Sequence, residues 1–227
     1  YFTIVVAHFE GSVSRQEAVR CLQSLYYQKY RNFEIIFIHD GPRNMAWELD
    51  EFPPPHDISV RFFHTEERAN DYGHSLRDIG IKMARGAYIM LTNADNYHYT
   101  NMLMDIYLEI RRPYPDVVID NINRTAPDII IYGILASGYL SIGNHNNIVD
   151  LREFNMDLAR RQWMYMSGYP AIYRNIDCMQ FVMRRELWQK EGGWYIKECQ
   201  AADGLIYQEL VKKYGVRYVP GPLAEHL

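Results

Sequence analysis

Three stretches run apolar without polar alternation, and they bound the fold more tightly than any other feature: FTIVVAH (Phe2 to His8), NFEIIFIHDG (Asn32 to Gly41) and YIMLT (Tyr88 to Thr92). A strand with one face in water alternates apolar and polar residues; a strand covered on both faces does not. SVRFFH adds another strand near Val60 to His64. Helical patterns lie between these runs. Ser14 and Glu17 form a capping box ahead of Ala18, Cys21, Leu22 and Leu25, which share one helical face. Leu76, Ile79, Gly80 and Met83 repeat at helical spacing between Gly73 and Arg85, with Gly86 as the stop. Met102 to Ile110 reads as a third helix. Strand–helix–strand–strand–helix–strand–helix over the first 110 residues predicts an α/β fold with a mostly parallel central sheet flanked by helices.

The second half is less regular. DVVIDNI and DIIIYGIL predict strands, and Asn144 to Asp177, rich in Asn, Arg, Met and aromatics, is expected over the site as a partner-binding segment. DCMQFVMRRELWQKEGGW predicts a strand, a short helix from Arg184 and a glycine turn. Ala201 to Tyr214 predicts a helix closed by Gly215, and VRYVPGPLAEHL a short strand and a tail. With no repeat and no low-complexity linker, 227 residues fit one domain with an internal joint near Arg111 to Pro115.

Charge and cysteine content narrow the function. A formal charge of −4 argues against a nucleic-acid surface, which needs a basic excess. Cys21, Cys178 and Cys199 stand far apart without a C-x-x-C pair, so neither a Cys-rich zinc site nor a disulfide framework is expected. A reducing compartment, hence a cytoplasmic location, follows as an expectation. No run reaches the length of a membrane span. The chain begins at Tyr1, as one domain of a larger protein would. Its 19 tyrosines fit sugar or base stacking as well as ordinary packing.

In sheets of this kind ligands bind outside the carboxyl ends of the strands. Three such ends carry polar residues: His8 to Glu10, Asp40-Gly41, and Asn93 to Asn96. Asp95, flanked by amides, fits a hard-cation site or an Asx turn. Asp40 fits a hydrogen bond to a base or ribose, or a plain Asp-Gly turn. Asn70 to His74 opens a helix, where backbone N–H groups face a phosphate or where Asn70 or Asp71 is a cap. Asp203 begins a helix as a cap or as a general base. His226 is a packing residue or a metal ligand. No G-x-G-x-x-G and no Walker motif is present.

The order of these elements resembles family 2 glycosyltransferases of the GT-A fold. The resemblance lies in IVVAHFEGSVSRQEAVRCLQSLYYQKYRNFEIIFIHDG, in ANDYGHSLRDIGIKMARGAYIMLTNADNYH with its D-x-D-type element, and in GGW followed by AADGLIYQELVKKYGVRYVPGPLAEH. It covers roughly residues 1–110 and 176–227. It implies a single GT-A domain over residues 1–227, with a nucleotide-sugar-binding half (1–110) and an acceptor-binding half (111–227). The implied activity moves a sugar from a nucleoside-diphosphate sugar, UDP-linked, to a hydroxyl of a glycan or other acceptor, with inversion and with Mn²⁺ or Mg²⁺. Asp40 would bind the base, while His8, Phe9 and Glu10 line base and ribose. Asn70 and Gly73 would lie beside the nucleotide, and Asn93, Ala94 and Asp95 form the D-x-D-type element. Asp95 and His226 would hold the metal, Asp203 deprotonate the acceptor, and Trp194 and Asp177 contact it.

Two positions depart from the family pattern. Asn93 replaces the first acidic residue of the D-x-D element, and Ala202-Asp203 keeps only the second residue of an acidic pair. These motivate an alternative: a catalytically impaired GT-A relative acting as a glycan- or partner-binding module. A sugar-phosphate nucleotidyltransferase shares the sheet but carries a glycine-rich basic loop after the first strand, which AHFEGSVSR lacks. Asp203 is expected to stand apart from Asp95 across the sugar, with no second carboxylate nearby. That favours inversion over a double displacement.

Overall fold

The computed structural model describes residues 1–42, 52–113, 126–137, 139–141, 148–150, 163–172, 176–196 and 199–226. The elements run β1 (Phe2–His8), α1 (Arg15–Tyr26), β2 (Phe33–His39), β3 (Ser59–His64), α2 (His74–Met83), β4 (Tyr88–Asn93), β5 (Tyr97–His98) and α3 (Met102–Arg111). They continue with β6 (Ile129–Ser137), β7 (Tyr139–Ser141), β8 (Ile148–Asp150), β9 (Trp163–Met166), a 3-10 turn (Cys178–Gln180), β10 (Phe181–Arg184), α4 (Arg185–Lys190), α5 (Ala202–Lys213) and β11 (Val216–His226).

The unalternating runs behave as their composition demands. Every residue of β1 and β2 is buried. Successive side chains point to opposite faces, so two cores form. Ile4 and Val6, with Ile35, Phe37 and Met90, enter one core beneath α1 and α3. Val5, Ile36, Ile38, Ile89 and Leu91 enter the other, against α2, Trp188 of α4 and Tyr207 of α5. The capping box forms as read: Ser14 accepts from Glu17 N, and the Glu17 carboxylate accepts from Ser14 N at 2.8 Å. Ala18, Cys21, Leu22 and Leu25 are all buried.

The strand order is β3-β2-β1-β4-β10-β6-β11-β5, with β9 also on β6. β3, β2, β1 and β4 are parallel. β10 enters antiparallel between β4 and β6, so the second half of this single α/β domain is mixed. The expected C-terminal tail is instead strand through to His226: β11 runs parallel to β6, with register shifts around Pro222. Its end pairs with β5, Glu225 opposite Tyr97 and Ala224 opposite His98. Because β5 follows directly on the Asp95 turn, this pairing brings His226 to that turn.

Gly86 is not the helix stop. α2 ends at Met83 with Ala84 extended at its cap. A Cβ on Gly86 would lie 2.4 Å from Thr3 N and 2.5 Å from Phe2 C, so the glycine permits close approach to β1. DVVIDNI and most of Asn144 to Asp177 lie outside the described residues. Among the described residues no helix is long and apolar enough to cross a membrane.

Candidate functional site

The polar ends of β1, β2 and β4 meet, as the strand-end rule requires, at one cleft of about 810 Å³. His8, Phe9, Asp40, Asn70, Gly73, Asn93, Asp95, Asp177, Asp203 and His226 all line it. Three expected residues do not. Glu10 is exposed on the turn beyond β1. Ala94 is fully buried, its N–H donating to Ala7 O at 3.0 Å. Trp194 is 1% exposed, stacked on His74 at 5.5 Å and close to Trp188, so it supports the cleft from below rather than forming an acceptor wall.

On one side Asp40 organises the loop that follows β3. Its Oδ1 accepts from Ala69 N at 2.7 Å and its Oδ2 from Asn70 N at 3.0 Å. A carboxylate has about four acceptor sites, so capacity remains for a ligand. The Arg68 guanidinium, 3.7 Å from Asp40, lies 3.6 Å over the Phe9 ring. Asn70, Tyr72 and Gly73 all take left-handed backbone, with φ of 52°, 59° and 81°. Such a conformation is easy for glycine, tolerable for asparagine and costly for tyrosine, by about 1–3 kcal/mol.

At the centre Asp95 Oδ1 is buried without a hydrogen-bond partner. Burial pushes its carboxyl above the ordinary range, while His226 draws it down. His226 Nδ1 lies 3.6 Å from Asp177 Oδ2. A buried carboxylate oxygen with an open coordination site, beside an imidazole, fits a hard divalent cation. Asp177, Cys178 and Asp203 also offer ligand atoms within 4.8 Å of one another. Burial raises the Cys178 thiol well above its usual value, and a soft sulfur suits a hard cation less well than the oxygens of Asp177 and Asp203.

Asp203 is the second residue of α5, and its Oδ1 accepts from Gly204 N at 2.8 Å. Burial first, and the Asp177 carboxylate second, push its carboxyl up to about 6 against the opposing pull of Gly204 N–H and Arg77. The expectation that no second carboxylate stands near Asp203 is therefore overturned. The 3-10 turn brings Asp177 there, with Asp177 Oδ1 accepting from Met179 N at 3.0 Å and its own N–H donating to Gln180 Oε1.

Arg77 was missed in the sequence, and it explains Asn93. Arg77 is 4% exposed and lines the cleft. Nη2 donates to Asn93 Oδ1 at 2.6 Å and approaches Cys178 Sγ at 3.6 Å. Nη1 donates to Tyr72 O at 2.8 Å and meets His74 Nδ1 at 3.2 Å. The Asn93 oxygen is thus engaged with a buried cation rather than vacated as a ligand. The one trace in the sequence was two adjacent charges, Arg77 and Asp78, between Leu76 and Gly80, which do not by themselves mark burial; both are buried.

The family model described as Glycosyl transferase family 2 matches residues 3–174. Glycosyltransferase GlyG of Streptococcus pneumoniae serotype 4 is 30% identical over 103 residues, 45% of this chain and 34% of GlyG. The fold superposes on S. aureus TarS in complex with UDP-GlcNAc with a TM-score of 0.65 at 13% identity, covering 99% of this chain and 57% of that one. It superposes on the mannosyltransferase PcManGT of Pyrobaculum calidifontis, in complex with GDP-Man and Mn²⁺, with a TM-score of 0.63 at 12% identity, covering 99% and 56%. The chain thus spans about a third of GlyG and little more than half of the two solved chains.

Proposed function

The chain belongs to glycosyl transferase family 2, and from that premise we propose that it is the transferase domain of an inverting, metal-dependent glycosyltransferase using a UDP-sugar. The observation that carries this reading is the cleft itself. It sets the partnerless oxygen of Asp95 and the proton-ready carboxyl of Asp203 around one volume at the strand ends. The UDP-GlcNAc of the TarS structure supports the choice of nucleotide, and the Mn²⁺ of the PcManGT structure supports the cation.

Phe9, Asp40 and Asn70 receive the base and ribose. Asp95 and His226 would hold Mn²⁺ or Mg²⁺, which supplies charge neutralisation of the leaving diphosphate. Asp203 takes the proton of the acceptor hydroxyl. A base with a pKa of about 6 is ionised near neutral pH yet still basic enough to accept it. Asp177 caps a turn and faces His226, which leaves Asp203 as the single base that inversion needs. Residues 1–110 form the donor half and 111–227 the acceptor half, and the acceptor is a glycan or glycoconjugate hydroxyl. The binding-module alternative rested on Asn93 and Ala202, and Arg77 accounts for the amide at Asn93.

Titration of the protein with UDP, with and without Mn²⁺, tests this. At one hundred times Kd a ligand adds about 2.7 kcal/mol, or about 5–10 °C in Tm for a domain of this size. We expect that gain with Mn²⁺, and its Mn²⁺-dependent part to vanish in Asp95→Ala. Equal UDP affinity with and without Mn²⁺ in the unaltered protein would refute the metal role.

A further inference from the structure

We propose that Tyr72 is a pyranose-stacking platform at the mouth of the cleft, a sugar-recognition residue that rests on the transferase reading above. Tyrosine is an unusual residue at φ 59°. Here the chain is compelled into that conformation from both sides. Before it, Asp40 fixes the Ala69 and Asn70 N–H groups. After it, Asp71 Oδ2 accepts from Ser75 N at 2.9 Å and from Ser75 Oγ at 2.6 Å. At Tyr72 itself the carbonyl is held by the buried Arg77. A strained backbone maintained by three separate side chains points to what it presents.

What it presents is an aromatic ring 63% exposed. Of the large exposed hydrophobic side chains among the described residues, Tyr72 alone lines the cleft. Its ring lies 6.2 Å from that of His74, whose Nε2 meets Cys199 O at 2.9 Å in the segment leading to Asp203. The platform thus lies between Asn70, tied to Asp40, and the segment leading to Asp203, while Phe9 with Arg68 stands at Asp40 itself. A flat apolar face with a polar edge matches a hexopyranose, which has an apolar C–H face and hydroxyls at its rim. Two side-chain torsions make the ring cheap to order.

Saturation-transfer NMR tests the assignment and separates the two sources of such a ring. One arm uses UDP-glucose and UDP-N-acetylglucosamine; the other uses methyl hexopyranosides without nucleotide. In the unaltered protein we expect pyranose protons to saturate in at least one arm. Tyr72→Ala should cut that signal at least fivefold, leave uridine saturation within twofold, and Tyr72→Phe should retain it. Tyr72→Gly guards against misfolding: it relieves the positive φ, so its Tm should equal or exceed that of Tyr72→Ala while the pyranose signal is still lost. Loss in the UDP-sugar arm assigns the platform to the donor, loss in the pyranoside arm to the acceptor. Unchanged pyranose saturation in the Ala and Gly variants overturns the proposal, as does loss of uridine and pyranose signals together in a folded Gly variant. Absence of pyranose saturation in the unaltered protein overturns it too. Absence of uridine saturation alone overturns the nucleotide reading instead, with the pyranoside arm still deciding Tyr72.

Discussion

On the proposed mechanism, Asp203 sets folding against chemistry within one side chain. Its folded carboxyl titrates near 6, against an ordinary value of 3.8. The folded state therefore binds that proton more readily than the unfolded chain. The favourable contribution is whole below pH 3.8 and is lost as pH rises through about 6. At pH 8 the buried charge is a burden, and Asp203→Asn removes it while its amide oxygen still accepts from Gly204 N. We expect transfer by Asp203→Asn to fall about 10²–10⁴-fold, while its urea midpoint at pH 8 rises by the equivalent of about 1–2 kcal/mol. The gain should fade by pH 4. In the unaltered enzyme kcat should climb through pH 6 to a plateau. A variant no more stable than its parent at pH 8 would contradict the burial of that charge. Strand-end carboxylates were legible because an acidic residue after an apolar run is conspicuous. Arg77 was not, because a cation counts as surface until its partners are known, and Asn93 and Cys178 lie 16 and 101 residues away in the chain.

At the level of elements, local signals carried far and pairing signals did not. The α1 cap could be read because Ser14 and Glu17 satisfy each other within four residues. β5 could not: two residues hold no periodicity, and Tyr97–His98 is a strand only because Glu225 and Ala224 pair with it. The same holds for the end of β11, whose glycine and prolines look like a tail. Gly86 is the instructive case, since a glycine after a helix pattern signals a stop while its constraint is steric and comes from β1. The two nearest atoms a Cβ would strike there are backbone, which cannot rotate aside. We expect Gly86→Ala to lower stability by about 2–3 kcal/mol, the scale of an overpacked core, as a reduced urea midpoint with an unchanged slope. A neutral outcome would mean that β1 and β4 can part without loss.

Across the whole molecule, the sheet does not respect a division into halves. β10, from the second half, fills the place beside β4 that would otherwise expose that strand's edge, and it buries Phe181, Val182 and Met183. Calorimetry should therefore show one cooperative transition, with calorimetric and van't Hoff enthalpies equal. Two resolved transitions would establish independent donor and acceptor halves. The formal charge of the chain is −4, and its distribution gives Asn93 a further meaning. Four carboxylates (Asp40, Asp95, Asp177, Asp203) and two guanidiniums (Arg68, Arg77) line the cleft. Counted formally, these six side chains sum to two negative charges. On the metal-dependent reading proposed above, one divalent cation would cancel them. A carboxylate at position 93 would leave one charge over, facing the incoming diphosphate at short range. On that reading the amide at Asn93 would keep the formal charge of the cleft wall matched to a single divalent ion.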